Sequence, residues 1–265
     1  VGVAFKLCQA LWQKMRGKAF TGDLDIVALG TVADVVPLLG ENRKIVQQGL
    51  RVLKKSKRPG IQALLAATEL QEKEITAGHI GFVLAPRLNA AGRLASALRG
   101  VELLLTEDGE EAQAIAEELD AANRERQAVE QEILQAAEKQ IEETDVKQAH
   151  VLVLHGEGWH PGVIGIVASR VTEQYYRPAV VLTRSGDMAT GSARSVTGFD
   201  VYKAVQSCAD LLENFGGHTY AAGLTLRVDK VPEFSQRFEA YVAEHILDEQ
   251  TQPTLDITAV LDFNE

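Results

Sequence analysis

Apolar residues recur at helical spacing through the first part of the chain, in Phe5, Leu7, Cys8, Leu11 and Trp12 and again in Ile45, Val46, Leu50 and Leu53. Residues 1–105 therefore read as mostly helical. Asp108-Gly109-Glu110-Glu111 then offers an N-cap with an acid at the third helical position, so a long polar helix is predicted within 106–148, running towards Asp145. Its apolar stripe is narrow: Ile115, Ala122, Val129 and Ala136 in one row, flanked by Leu119 and Ile133. A helix so patterned bridges domains. At ~1.5 Å per residue it would span roughly 50 Å, enough to hold two lobes apart with a cleft between them. A coiled-coil dimer is the rival reading, with Arg126 and Gln140 interrupting the seam.

Beyond the helix the period changes. His150–His155 and Ala179–Thr183 read as buried strands with a helix over Gly162–Tyr176 between them, a βαβ-like unit. Met188–Ser195 reads as a further strand, Phe199–Leu212 as a helix with Asp200 near its start, Leu224–Val228 as a strand and Val231–His245 as a helix. Residues 149–250 are thus predicted to form an α/β domain with a mixed sheet. Pro253 marks a linker within 251–265, where Leu255–Phe263 reads as the first strand of a following domain.

Composition narrows the class. With 265 residues, 46% hydrophobic and 24% charged, the chain suits two globular domains. No apolar run approaches the ~20 residues of a membrane span, and no basic-then-apolar leader opens it, so a cytoplasmic location without membrane association is expected. Cys8 and Cys208, far apart and outside any metal-type spacing, are expected to be buried thiols. A net charge of −10 argues against a protein that coats nucleic acid non-specifically. Much of the acid lies between Glu107 and Asp145, however, while Arg170, Arg177, Arg184 and Arg194 surround glycine-rich motifs, leaving room for a local basic groove.

Five constellations carry candidate chemistry. Gly216-Gly217-His218-Thr219-Tyr220-Ala221-Ala222-Gly223 reads as a phosphate-gripping turn, because paired glycines lack the Cβ that holds a ligand away and a following helix start would aim N–H groups at negative charge. Close packing of a helix on a sheet explains the same residues. Gly191-Ser192-Ala193-Arg194-Ser195 adds a second small-plus-cationic cluster, and His160 opens the helix after the first strand, where it acts either on a ligand or as a cap. His160, Ser192, Arg194, Ser195, Gly217 and His218 all fall at predicted element ends of one domain, where α/β sheets place ligands. In the helical part, Asp34 lies in the apolar run Leu29–Leu38, either buried with compensating partners or solvated at a helix end before Pro37. Arg87, Asn89 and Arg93 sit among small residues in Pro86–Arg93, a composition suited to phosphate and sugar, or to a solvated helix turn.

Taken in order, Gly-Thr-Val-Ala-Asp-Val-Val-Pro-Leu, Pro-Arg-Leu-Asn-Ala-Ala-Gly-Arg, His-Pro-Gly-Val-Ile-Gly-Ile-Val-Ala-Ser-Arg, Gly-Ser-Ala-Arg-Ser and Gly-Gly-His-Thr-Tyr-Ala-Ala-Gly closely resemble the RecJ family of the DHH phosphoesterase superfamily. Gly-Gly-His alone would indicate only the DHH-associated domain, shared with small phosphodiesterases and the alanyl-tRNA synthetase C-terminal region. The resemblance implies the tail of a DHH catalytic domain, a connecting helix and a DHH-associated substrate domain. It implies a 5′-to-3′ exonuclease acting on single-stranded DNA in recombination and repair, with Mn2+ or Mg2+ and with other repair proteins as partners. Asp34 matches a metal ligand of a two-metal hydrolytic site. His160, Ser192, Arg194, Ser195, Gly217 and His218 match the substrate-phosphate site, and Arg87, Asn89 and Arg93 the motif lining the cleft.

The sequence departs from the family pattern in one respect: it has no Asp-x-Asp after an opening strand and no Asp-His-His, the motifs that in the family supply most metal ligands, and His79 matches neither. An excised fragment, inactive by itself, is therefore expected. A phosphodiesterase of short oligonucleotides or cyclic dinucleotides, and a non-catalytic phosphate- or nucleic-acid-binding module, are the alternatives. A following OB-fold, as relatives of the family carry, would add single-strand affinity.

Overall fold

The computed structural model describes residues 1–94, 96–143, 146, 148–255 and 257. The strand expected over Leu255–Phe263 lies almost wholly outside these residues. Contacts divide the chain into two compact units, 1–127 and 128–265, and the division falls within the long helix rather than at either of its ends.

The first unit is all helical: α1 (Gly2–Arg16), α2 (Leu24–Ala33), α3 (Gly40–Lys54), α4 (Pro59–Ala67), α5 (Ala77–His79), α6 (Ala85–Leu94), α7 (Leu98–Leu105) and the first part of α8 (Gly109–Glu142). Helices α5 and α6 are joined by a π-turn over Ile80–Leu84. Pro86 has no N–H to return to residue 82 and its ring crowds that carbonyl, a physical reason for the wider turn just before it. The core gathers Leu29, Leu53, Ile61, Leu84, Leu103 and Ile115. Helices α2 and α3 pack so closely at Gly49 that a Cβ there would lie 2.4 Å from the Leu24 carbonyl oxygen. The periodic stripe of α1 does form a helix, but only Phe5 is buried; Leu7, Leu11 and Trp12 stay exposed. Cys8 is exposed as well, contrary to expectation, whereas Cys208 is buried and burial raises its thiol pKa.

Helix α8 starts as the sequence indicates, with the Asp108 carboxylate accepting from the Glu110 and Glu111 amides at 2.8 and 3.1 Å. Its buried stripe takes a different path. After Ala112, Ile115, Ala116 and Leu119 it passes through Asn123 and Glu130, not Ala122 and Val129, before reaching Ile133, Ala137 and Ile141. A straight helix drifts against a seven-residue repeat, so a fixed heptad reading leaves the buried face after two turns. In the second unit Glu130, 3% exposed at its side chain, pairs with Arg170, and Gln140 binds both backbone groups of His155 at 2.7 and 3.1 Å.

The second unit holds β1 (Leu152–Glu157), α9 (Pro161–Tyr175), β2 (Ala179–Ser185), β3 (Met188–Arg194), α10 (Val201–Gln206), β4 (Leu212–His218), β5 (Ala221–Arg227) and α11 (Val231–His245). The five strands run in the order β1-β2-β3-β5-β4. Strands β1 and β2 are parallel, with α9 as their crossover, and the other neighbours are antiparallel, so the sheet is mixed. One face, with Val180, Leu182, Ala193, Leu224 and Leu226, packs on Phe234 and Phe238 of α11 and on α10. Two expectations change here. The helix expected over Phe199–Leu212 is the short α10, capped by Asp200 accepting from the Lys203 amide at 3.2 Å, followed by a 3-10 turn. The Gly-Gly-His stretch is not a turn leading into a helix; it is the end of β4, a strand the periodicity does not reveal.

Candidate functional site

Strand β3 alternates. Ala189, Gly191 and Ala193 point to the core, so Thr190, Ser192 and Arg194 share the opposite face. Strand register carries that face across the sheet. Arg194 stands opposite Ala221, which stands opposite His218; Ser192, Gly223 and Gly216 form the next row, and Thr190, Thr225 and Asn214 the third. Residues paired in a ladder share a face. Arg194 and His218 are thus two strands apart, roughly 10 Å, above a small alanine. Between the other two rows lies an open tray of about 330 Å³, bordered by Thr190, Asn214 and Thr225 and floored by Gly216 and Gly223. Backbone approach is unobstructed there, since a Cβ built on Gly216 meets nothing within 4 Å.

Each polar group is held in a definite orientation. The Arg194 guanidinium donates to Ser169 Oγ on α9 at 3.1 Å, to Ser192 Oγ at 2.7 Å and to the Ala193 carbonyl at 2.8 Å. It lies over Gly165 of α9, where a Cβ would come within 2.8 Å of its Nη2 atom. Ser192, having accepted from Arg194, keeps its own proton for an acceptor such as a phosphate oxygen. Ser195 is committed differently: its Oγ donates to the Phe199 carbonyl at 2.7 Å, so it can give a proton to a ligand only by releasing Phe199. His218 Nδ1 accepts from the Tyr220 amide at 3.4 Å and His160 Nδ1 from the Gly162 amide at 3.1 Å. In the neutral rings these bonds leave the proton on Nε2, pointing away from the backbone. His160 is the N-cap of α9.

The structure thus brings Ser192, Arg194 and His218 onto one face of the sheet, with Arg194 and His218 as the last residues of β3 and β4, at the element ends that the sequence indicates. Gly217 occupies the alternate position in β4, and its lack of a side chain serves strand pairing. The expected basic groove is largely dispersed. Arg170 pairs with Glu130, Arg177 donates to the carbonyls of Ala149, Tyr176 and Thr251, and Arg184 borders a separate cavity of about 160 Å³ with His155 and Pro232. Sequence reasoning also passed over Thr190, Asn214 and Thr225, although the alternation Thr-x-Ser-x-Arg in β3 signals a polar face.

In the first unit Asp34 is exposed at the C-terminal end of α2, bordering a cavity of about 340 Å³ that Lys6 and Glu41 share. Glu41 is committed to Lys6 at 2.8 Å, and that bond lowers its carboxyl pKa. The buried acid of this segment is Asp25, 4% exposed, which accepts from Ser56 Oγ at 2.7 Å and pairs with Arg58 at 3.3 Å. Among the described residues no three His, Cys, Asp or Glu side chains come together as a metal site. Asp34 can offer one oxygen ligand, and the described residues do not fit a complete divalent-metal centre. On α6, Arg87 turns inward to Asp120 at 2.8 Å, while Asn89 and Arg93, one turn apart, share an exposed face. The three do not form a single cradle.

Val35, next to Asp34, has φ +54° and is 88% exposed. A β-branched residue rarely adopts this left-handed conformation, and helices usually end here on glycine or asparagine. Val35→Asn is expected to stabilise the fold by about 1 kcal/mol, because an L-residue pays roughly that much in the left-handed region and no packing is lost. An unchanged or lower thermal midpoint would show that no strain is stored there.

Residues 147–244 match the DHHA1 domain family. The single-stranded-DNA-specific exonuclease RecJ of Bacillus subtilis (strain 168) is 39% identical over 262 residues, which cover 98% of this chain and 33% of that protein. Crystal structures of RecJ from Thermus thermophilus in complex with Mg2+ and with Mn2+ are both 36% identical to it with a TM-score of 0.82, covering 92% of this chain and 38% and 36% of theirs. The chain therefore spans about a third of the length of these proteins. In sequence and in fold the chain is thus similar to part of RecJ proteins, and residues 147–244 match the DHHA1 domain family.

Proposed function

We propose that the second unit grips the backbone of single-stranded DNA for a 5′-to-3′ exonuclease of recombination and repair that uses Mn2+ or Mg2+ when whole. The row Arg194–Ala221–His218 beside a glycine-floored tray carries this reading. A fixed guanidinium, a serine with its proton to give and an imidazole Nε2 supply charge-assisted and neutral donors for phosphate oxygens. Gly216 and Gly223 let the strand lie close to the sheet. The tray opens along the sheet surface and is not enclosed, which favours a polymer over a cyclic dinucleotide. No helix among the described residues is long and apolar enough to cross a membrane.

Metal chemistry has a smaller share in these residues. We assign Asp34 as one ligand of the metal site; hydrolysis requires further ligands that the described residues do not bring together. Asn89 and Arg93 offer an amide and a cation to the strand from the first unit, and Arg87 acts as a strut for α6 through Asp120. Proteins of recombination and repair are the expected partners, and the cytoplasm the expected compartment.

The test is titration of the 265-residue chain with labelled oligodeoxynucleotides of increasing length, followed by incubation with Mn2+. Affinity is expected to be retained or to rise with length, without release of nucleotides. Loss of binding on lengthening would favour a small-substrate phosphodiesterase, and robust Mn2+-dependent digestion would refute the view that metal ligands are missing.

A further inference from the structure

The row Arg194–Ala221–His218 offers donors for a phosphate. Tyr220, in the turn between β4 and β5, stands beside it. Its residue is 57% exposed, and its ring meets that of His218 edge-on, with centroids 6.4 Å apart and planes at 69°. The main chain beneath is held on both sides: the Tyr220 carbonyl accepts from the Ser195 amide at 3.1 Å, and its own amide donates to His218 Nδ1. These bonds tie the ring's base to both sides of the Arg194–His218 row. A lone exposed aromatic needs no explanation, but one fixed against a candidate phosphate ligand is positioned as a stacking surface. An aromatic with two side-chain torsions loses little entropy on contact and accepts the π-face of any base.

We propose that Tyr220 is a base-stacking platform for the nucleotide whose phosphate Ser192, Arg194 and His218 hold. The proposal rests on the reading of the tray as a single-strand site and adds a base-dependent, sequence-tolerant component to it.

The experiment compares two oligodeoxynucleotides of equal length, one of thymidine and one abasic throughout, by equilibrium titration of the 265-residue chain. Wild type binds the thymidine strand more tightly. Tyr220→Ala lowers affinity for that strand about ten-fold and leaves the abasic strand unchanged, erasing the preference. Tyr220→Phe and Tyr220→Trp keep it, and the added indole emission is quenched by the thymidine strand. Equal losses on both strands, or no loss on either, overturn the proposal. Arg194→Ala is the independent arm, since it weakens both strands alike. If wild type binds neither strand, or Arg194→Ala affects neither, the tray reading itself fails; loss of the base effect alone removes only Tyr220.

Discussion

Gly217→Ala is expected to destabilise the second unit by about 3 kcal/mol and to lower its melting midpoint by on the order of 10 °C. A Cβ at this position would sit 2.3 Å from the Ala221 carbonyl oxygen, 2.6 Å from Ala222 Cα and 2.8 Å from Ala222 Cβ. Two of these atoms are backbone of the paired strand, so no rotamer change relieves the clash. β4 must lift from β5, and as the last strand of the sheet it has no second neighbour to hold it. The adjoining residue supplies the control. Gly216→Ala puts its methyl into open space and should leave the midpoint within about 0.5 kcal/mol of the parent, yet it raises the tray floor opposite Gly223 and should weaken single-strand binding. Circular-dichroism melts and titrations on the two variants test the division. A Gly217→Ala variant that melts with the parent would mean that β4 does not pair as closely as the register indicates.

That pair of glycines also shows where sequence reading succeeds and where it stops. The helical character of residues 1–105 and the places of α8, β1, α9, β2, β3, the later part of β5 and α11 are legible from apolar patterns or capping residues, such as Asp108 for α8, and Asp200 marks the start of α10. Strand β4 is not, since Leu212–His218 has glycines in place of alternating side chains and leaves most of its residues exposed. Without that strand the Gly-Gly-His stretch reads as a turn, and the sheet face that joins the strand ends into one row is not visible. The residue types were readable; their convergence was not, because the row from Arg194 to His218 exists only once β5 is inserted between β3 and β4. Asp34 was ambiguous for a related reason. No residue of α2 is exposed, but the helix ends at Asp34, leaving the carboxylate in solvent.

Arg194→Ala is expected to weaken single-strand binding by about 1–3 kcal/mol, the range for loss of a hydrogen bond to a charged group. The side chain already has a structural task in joining β3 to α9 through Ser169, so a loss of affinity must be separated from a loss of fold. Salt dependence separates them. Removing one phosphate contact should flatten the plot of log affinity against log salt by about 0.7 for a single strand, whereas partial unfolding lowers the active fraction without changing the slope. Arg194→Lys sharpens the argument: it keeps the charge, and hence most of the slope, but an ammonium cannot reproduce the planar fork that Ser169, Ser192 and the Ala193 carbonyl orient. Its affinity should therefore fall between those of wild type and Arg194→Ala. If Arg194→Ala binds with unaltered affinity and slope, the phosphate lies elsewhere on the sheet and the guanidinium serves only to pin α9 to β3.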